Sequence, residues 1–177
     1  AIFYESICEG KSADNSMFCC GTNVVFRVDA LRKVGKFDED SITEDFATSL
    51  KLHLAGYKSV YYNHVLAFGM APESLYAYFK QQSRWATGTV GVLKHLIVEF
   101  NKGPHRMTTA QWWEYFLAGS YYFIGWVYFY LMLCPVMYLL FGIPSFFLSP
   151  LLYAATFAPY LFLSMLIFYS SVSDRGY

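Results

Sequence analysis

Two regimes of hydrophobic patterning divide the chain. As far as Glu114, apolar and charged residues are interleaved, whereas 115–173 contains no Asp, Glu, Lys or Arg. About 20 apolar residues cross a bilayer core, so this uncharged run accommodates two spans and a turn. The expected spans are 115–141 and 147–169, broken at Gly142-Ile143-Pro144-Ser145, where Pro144 removes a backbone donor. Upstream, Phe46, Leu50 and Leu54 recur at i, i+4 and i+8. That spacing predicts a helix opened by Thr43-Glu44-Asp45 and closed by Gly56 in a left-handed cap. Asp29–Val34 predicts a short helix, with Asp29 as N-cap and Gly35 as its stop. A further helix opens at Pro72-Glu73 and runs at least to Trp85 and on towards His95. Met17–Val28 is β-rich, interrupted at Gly21-Thr22-Asn23 by a turn or a close backbone approach, and Lys58–Tyr62 reads as a second strand.

Composition sharpens this picture. The 177 residues include 13 basic and 13 acidic side chains, for a net charge of zero, and only 15% are charged against 56% hydrophobic. Such a balance excludes disorder and a simple soluble domain. It also argues against nucleic acid as a partner, since no positive field is present to neutralise phosphates. Lys94, Lys102 and Arg106 precede the first span and Arg175 follows the second, while the intervening turn has no basic residue. The positive-inside rule then places both ends in the cytosol, and the lipid bilayer becomes a partner. Cys8, Cys19, Cys20 and Cys134 form no C-x-x-C, and His53, His64, His95 and His105 show no ligand spacing. Neither a metal site nor a disulfide framework is expected. The chain opens without a methionine and has no phosphate-binding glycine loop, so a part of a longer protein is expected.

Three short segments could carry chemistry. Thr43-Glu44-Asp45 can simply cap a helix and meet its dipole, or it can mount a general base on a rigid junction. Gln81, Arg84 and Trp85 lie at i, i+3 and i+4 and share one helical face. An amide, a guanidinium and an indole together suit a phosphorylated sugar, although an Arg–Trp pair is also common at a membrane interface. The segment Phe18-Cys19-Cys20-Gly21-Thr22-Asn23 alone reads only as a strand with a glycine kink.

In combination these segments resemble the processive family 2 glycosyltransferases, which include the cellulose, chitin and hyaluronan synthases. Ile42-Thr43-Glu44-Asp45, Gly69-x-x-Pro72-Glu73, Arg84-Trp85-Ala86-Thr87-Gly88 and Tyr138–Ile143 look most like the cellulose synthases. The resemblance implies a partial GT-A-like (Rossmann-like) α/β domain over 1–106, then a transmembrane helical hairpin over 107–177. It implies that Asp45 is the base deprotonating the acceptor hydroxyl. Gln81, Arg84 and Trp85 would bind at the acceptor end and the diphosphate, Thr43 and Glu44 would bind substrate beside Asp45, and Gly21, Thr22 and Asn23 would line the acceptor site. The implied reaction is an inverting transfer from a UDP-sugar, glucose above all, to a growing β-1,4-glucan at the plasma membrane. Another nucleotide sugar, such as UDP-N-acetylglucosamine, and a non-catalytic scaffold remain as alternatives. Mg2+ or Mn2+ on the donor diphosphate is implied, as are accessory synthase subunits. The family's upstream Asp-x-Asp is absent, since Asp38-Glu39-Asp40 falls after the acceptor loop and reads as a solvated acidic turn. The chain alone is therefore expected to be inactive.

Overall fold

The stripe of Phe46, Leu50 and Leu54 forms the helix its spacing predicts. The computed structural model describes residues 3–145, 147 and 149–173, and in it α3 runs over Glu44–Leu54. Phe46 and Leu50 are buried, and Leu54 packs at the margin of the same cluster. Gly56, at φ +82°, ends the helix. Its N–H donates to the His53 carbonyl and the Tyr57 N–H to that of Leu52, the paired bonds of a left-handed C-cap. Gly35 closes α2 (Val28–Lys33) in the same way. Asp29 lies inside the first turn of α2, and Arg27 occupies the cap position instead.

Two other helices complete the core. α4 spans Leu75–Lys102, and Ser74 caps it by accepting from the Ala77 N–H. It therefore begins two residues beyond Pro72-Glu73. α5 covers Thr109–Ser120 and opens with a capping box, in which Thr108 and Gln111 satisfy each other's backbone N–H groups. Phe46, Ala47 and Leu50 of α3 meet Val92, Leu93 and Leu96 of α4 and Trp112 and Tyr115 of α5. Burying each large apolar side chain contributes roughly 1.5–3 kcal/mol, so this three-helix contact holds the unit together. Gly119 lets α5 approach closely, because a Cβ there would lie 3.1 Å from the Leu93 side chain.

The N-terminal helix α1 (Cys8–Ala13) is tied to α5 by a half-buried ion pair between Lys11 and Glu114. Asn15, in the left-handed region, accepts from the Ser59 N–H through its side chain and from Gln111 through its carbonyl. His53 is buried, with Nδ1 2.8 Å from the Tyr115 hydroxyl and Nε2 2.9 Å from Ser59 Oγ. These bonds join segments far apart in sequence.

The expected strands do not form. Among the described residues the regular elements are all helical, and Met17–Val28 and Lys58–Tyr62 lie in irregular chain, the first until α2 begins at Val28. A strand exists only through a ladder to a neighbour, and no described segment pairs with either. Met17–Cys20 instead crosses α3, where the Cys19 N–H donates to Ser49 Oγ at 2.8 Å.

The chain divides into two compact units, 1–126 and 127–177. The second holds most of α6 (Ile124–Phe141) together with α7 (Pro150–Ser173). Gly142, at φ +65°, stands just beyond α6, and the Gly142–Ser145 break is non-helical as expected. α7 starts at Pro150, where the fixed proline φ suits a first helical position. The described large apolar side chains of this unit face outward. The continuous helical stretches Thr109–Phe141 and Pro150–Ser170 are long and apolar enough to cross a membrane. The first begins before residue 115 because α5 runs on through a 3-10 turn into α6. Arg175, used for orientation, lies outside the described residues.

Candidate active site

Asp45 stands in the first turn of α3, where the helix dipole favours a carboxylate. Directly beside it is the Gly21 turn. Gly21 has φ +79°, and a Cβ on it would lie 3.1 Å from Asp45 Oδ2. Only glycine meets both demands, a left-handed backbone and this close approach. Asn23, at φ +53°, completes the turn, and Thr22 and Asn23 project from it exposed. The Gly21 turn and the acidic segment are therefore in contact, although Gly21 and Asp45 stand 24 positions apart in sequence.

Burial raises the Asp45 pKa above the ordinary carboxylate value. The Phe46 backbone N–H opposes that rise, neighbouring Glu44 adds to it, and the Arg84 guanidinium opposes it more weakly. The half-buried carboxylate is thus more basic than a solvated one, with a cation within electrostatic range. Glu44 is exposed beside it.

α4 brings the third segment to the same end of α3. Gly88 lies against Thr43, and a Cβ there would come within 2.6 Å of Thr43 Oγ1. Gln81, Arg84 and Gly88 follow one helical stripe, so the face that meets Thr43 also carries the amide and the guanidinium. Arg84 and Trp85 are exposed and Gln81 is half-buried. Neighbouring Gln82 accepts from the Tyr122 hydroxyl at 3.1 Å. The structure therefore joins Gly21 to Asp45 and Thr43 to α4, while among the described residues no hydrogen bond links Gln81 or Trp85 to the Asp45 carboxylate. Thr43 occupies the N-cap position without capping, and its buried Oγ1 has no hydrogen-bond partner among the described residues.

Ser49 is not among the residues singled out in the sequence, and Cys19 stands there only as part of the Phe18–Asn23 segment. Ser49 Oγ donates to the Asp45 carbonyl at 2.8 Å and accepts from the Cys19 N–H at 2.8 Å. Cys19 Sγ in turn accepts from the Gly21 N–H at 3.4 Å. The available signal was Ser49 four residues after Asp45, the spacing at which a helical serine bonds back to a carbonyl. Burial raises both neighbouring thiols, Cys20 to about 12, so they are neutral near pH 7.

Asp38 departs from the solvated turn expected of it. Its carboxylate pairs with Lys51 at 2.7 Å, and its N–H donates to Thr48 Oγ1. Among the described residues no group of three or more His, Cys, Asp or Glu could hold a metal ion. The residues present do not fit the divalent cation implied by the resemblance, so none is assigned to it. A cavity of about 620 Å³ lies along the other side of α3, between Leu50, Leu54, Gly91, Val92 and His95, and does not include Asp45.

Comparison with known proteins bears on what this arrangement does. The sequence model described as "Glycosyl transferase family group 2" matches residues 3–171. A UDP-forming cellulose synthase catalytic chain of Dictyostelium discoideum is 43% identical over 90 residues, covering 51% of this chain and 8% of that protein. The UDP-forming cellulose synthase catalytic subunit of Pseudomonas fluorescens is 31% identical over 151 residues, 84% of this chain and 20% of the relative. The protein of the same description from Xanthomonas axonopodis pv. citri is 36% identical over 93 residues, 52% of this chain and 13% of that protein. The chain thus spans a fifth or less of the length of these curated relatives.

Proposed function

The chain belongs to glycosyl transferase family group 2, and from that premise we propose that it forms the acceptor side of the active site of a membrane-embedded, processive β-glycosyltransferase. The donor is UDP-glucose and the product a β-1,4-glucan, by analogy with the relatives named as UDP-forming cellulose synthases. Residues 1–106 form the C-terminal part of a GT-A-like α/β domain, whose sheet is completed by the rest of the enzyme along the irregular segments 16–27 and 57–72. Residues 107–177 form a transmembrane hairpin in the plasma membrane. The catalytic side faces the cytosol, as Lys94, Lys102 and Arg106 imply by the positive-inside rule. The outward apolar surface of α6 and α7 supports burial in lipid, since so large an exposed patch is unfavourable in water.

The observation that carries the reading is the contact of the Gly21 turn with a carboxylate whose basicity burial raises, within range of Arg84. A sugar hydroxyl is a poor nucleophile until its proton is removed. Asp45 takes that proton as the hydroxyl oxygen bonds to the anomeric carbon of the donor. The bond from that carbon to the diphosphate breaks with inversion, and UDP leaves with the electron pair. Arg84 stabilises the departing charge, because its fixed fork suits phosphate oxygens. Gln81 and Trp85 position and stack the sugar, and Gly21, Thr22 and Asn23, with Thr43 and Glu44, shape the acceptor end.

The test is incorporation of labelled sugar by membranes carrying the full-length enzyme. UDP-glucose should yield a polymer that a β-1,4-glucanase degrades, and UDP-N-acetylglucosamine should not be incorporated. Incorporation of N-acetylglucosamine alone would reassign the donor. No incorporation from either sugar by folded protein would favour a scaffold.

A further inference from the structure

Four contacts in the site close into a circuit that starts and ends on Asp45. The Asp45 carbonyl accepts from Ser49 Oγ, and Ser49 Oγ accepts from the Cys19 N–H. Cys19 Sγ accepts from the Gly21 N–H, and Gly21 rests against Asp45 Oδ2. We propose that Ser49, acting through Cys19, is a positioning residue that holds the Gly21 turn at a fixed distance from the Asp45 carboxylate.

Ser49 suits this task and fits poorly with a purely helical role. Serine is a weaker helix former than alanine, and here it is buried on the core side of α3 at 5% exposure. Its hydroxyl has one proton and spare lone pairs, and it uses both kinds of valence, one on each side of the site. The bond within the helix orients Oγ, and that orientation presents a lone pair to the Cys19 amide, 30 residues away in sequence. No ladder holds segment 16–27 among the described residues, so the Ser49 bond is the anchor nearest to the turn. Gly21 can approach Asp45 only because it has no side chain, and Cys19 limits how far the turn can swing away. The neutral Cys19 thiol, desolvated by burial, is the acceptor at the second joint.

The role rests on the reading of Asp45 as the base, and the test separates the two. In membranes carrying the full-length enzyme, Ser49→Ala should lower turnover about tenfold while leaving KM for the nucleotide sugar within about twofold, because misplacement costs rate rather than donor binding. Amide hydrogen exchange in a peptide covering 17–23 should rise at least about tenfold, since the Cys19 N–H loses its acceptor. Ser49→Thr keeps a hydroxyl able to bond back to the Asp45 carbonyl, and should recover turnover to within about threefold. Cys19→Ala removes only the second joint and should lower turnover by about threefold, with the exchange at Cys19 unchanged. Unaltered exchange in Ser49→Ala, or faster exchange with normal turnover, overturns the proposal. Equal losses in Ser49→Ala and Ser49→Thr overturn it as well, because they indicate packing alone. Full activity of Asp45→Asn would overturn the reading of the base, whereas the exchange measurement still reports on the clamp.

Discussion

Replacing Gly21 with alanine isolates the close approach on which the site depends. Two costs follow from the geometry. The backbone at φ +79° disfavours any residue with a Cβ, by about 1–2 kcal/mol. The new methyl would also lie 3.1 Å from Asp45 Oδ2, so turn or carboxylate must give by a few tenths of an ångström. Misplacement of a reacting group by 1 Å can cost about 10²-fold, so a shift of ~0.3–0.5 Å scales to about a four- to tenfold loss of turnover. Gly56 provides the control. It carries the same left-handed strain, at φ +82°, but a Cβ there meets nothing within 4 Å. Gly56→Ala should therefore lower the melting temperature by the strain alone, no more than Gly21→Ala, and leave turnover nearly intact. Both variants would be assayed for polymer formation from UDP-glucose and for thermal unfolding in detergent. Equal turnover in the two variants, or a Gly21→Ala enzyme as active as the parent, would refute the idea that this turn shapes the catalytic carboxylate.

Two further outcomes concern the scaffold of the site. Gly88→Ala should destabilise the unit by about 1–3 kcal/mol, because the methyl would be driven into the buried Thr43 side chain, and chemical denaturation would measure it. His53 makes stability depend on pH: burial lowers its pKa from 6.5 to about 4, so the folded state holds a neutral ring where the unfolded chain takes a proton. Its contribution is complete above pH 6.5 and falls as pH drops towards 4, by about 3 kcal/mol in all; melting temperatures at pH 7.5 and pH 5 should differ accordingly, and His53→Gln should flatten the difference.

What the sequence reveals about this molecule is local. The Phe46–Leu50–Leu54 stripe, the left-handed ends at Gly35 and Gly56 and the long apolar helices follow from period, backbone chemistry and length. The contact of Gly21 with Asp45 was legible only as an alternative, a turn or a close approach. Strands at Met17–Val28 and Lys58–Tyr62 were expected from composition, but a strand needs a partner, and the described residues supply none. Ser49, and the specific part Cys19 plays within its segment, are not legible because they arise where two segments cross 30 residues apart. The same holds for the Lys11–Glu114 pair, whose members are 103 residues apart. Thr43 shows the converse. Its position signals a cap, yet it lies against Gly88 with its hydroxyl unbonded among the described residues.

The central claim is that Asp45 takes the acceptor proton, and Asp45→Asn in the full-length enzyme tests it most directly. Asparagine preserves shape and the first turn of α3 but cannot accept the proton. Initial rates of glucan formation from UDP-glucose should fall by at least about 10²-fold, the lower range for general acid–base catalysis. Unfolding behaviour and binding of UDP should stay within error of the parent. Polymer synthesis at near-normal rate by the asparagine variant would contradict the account.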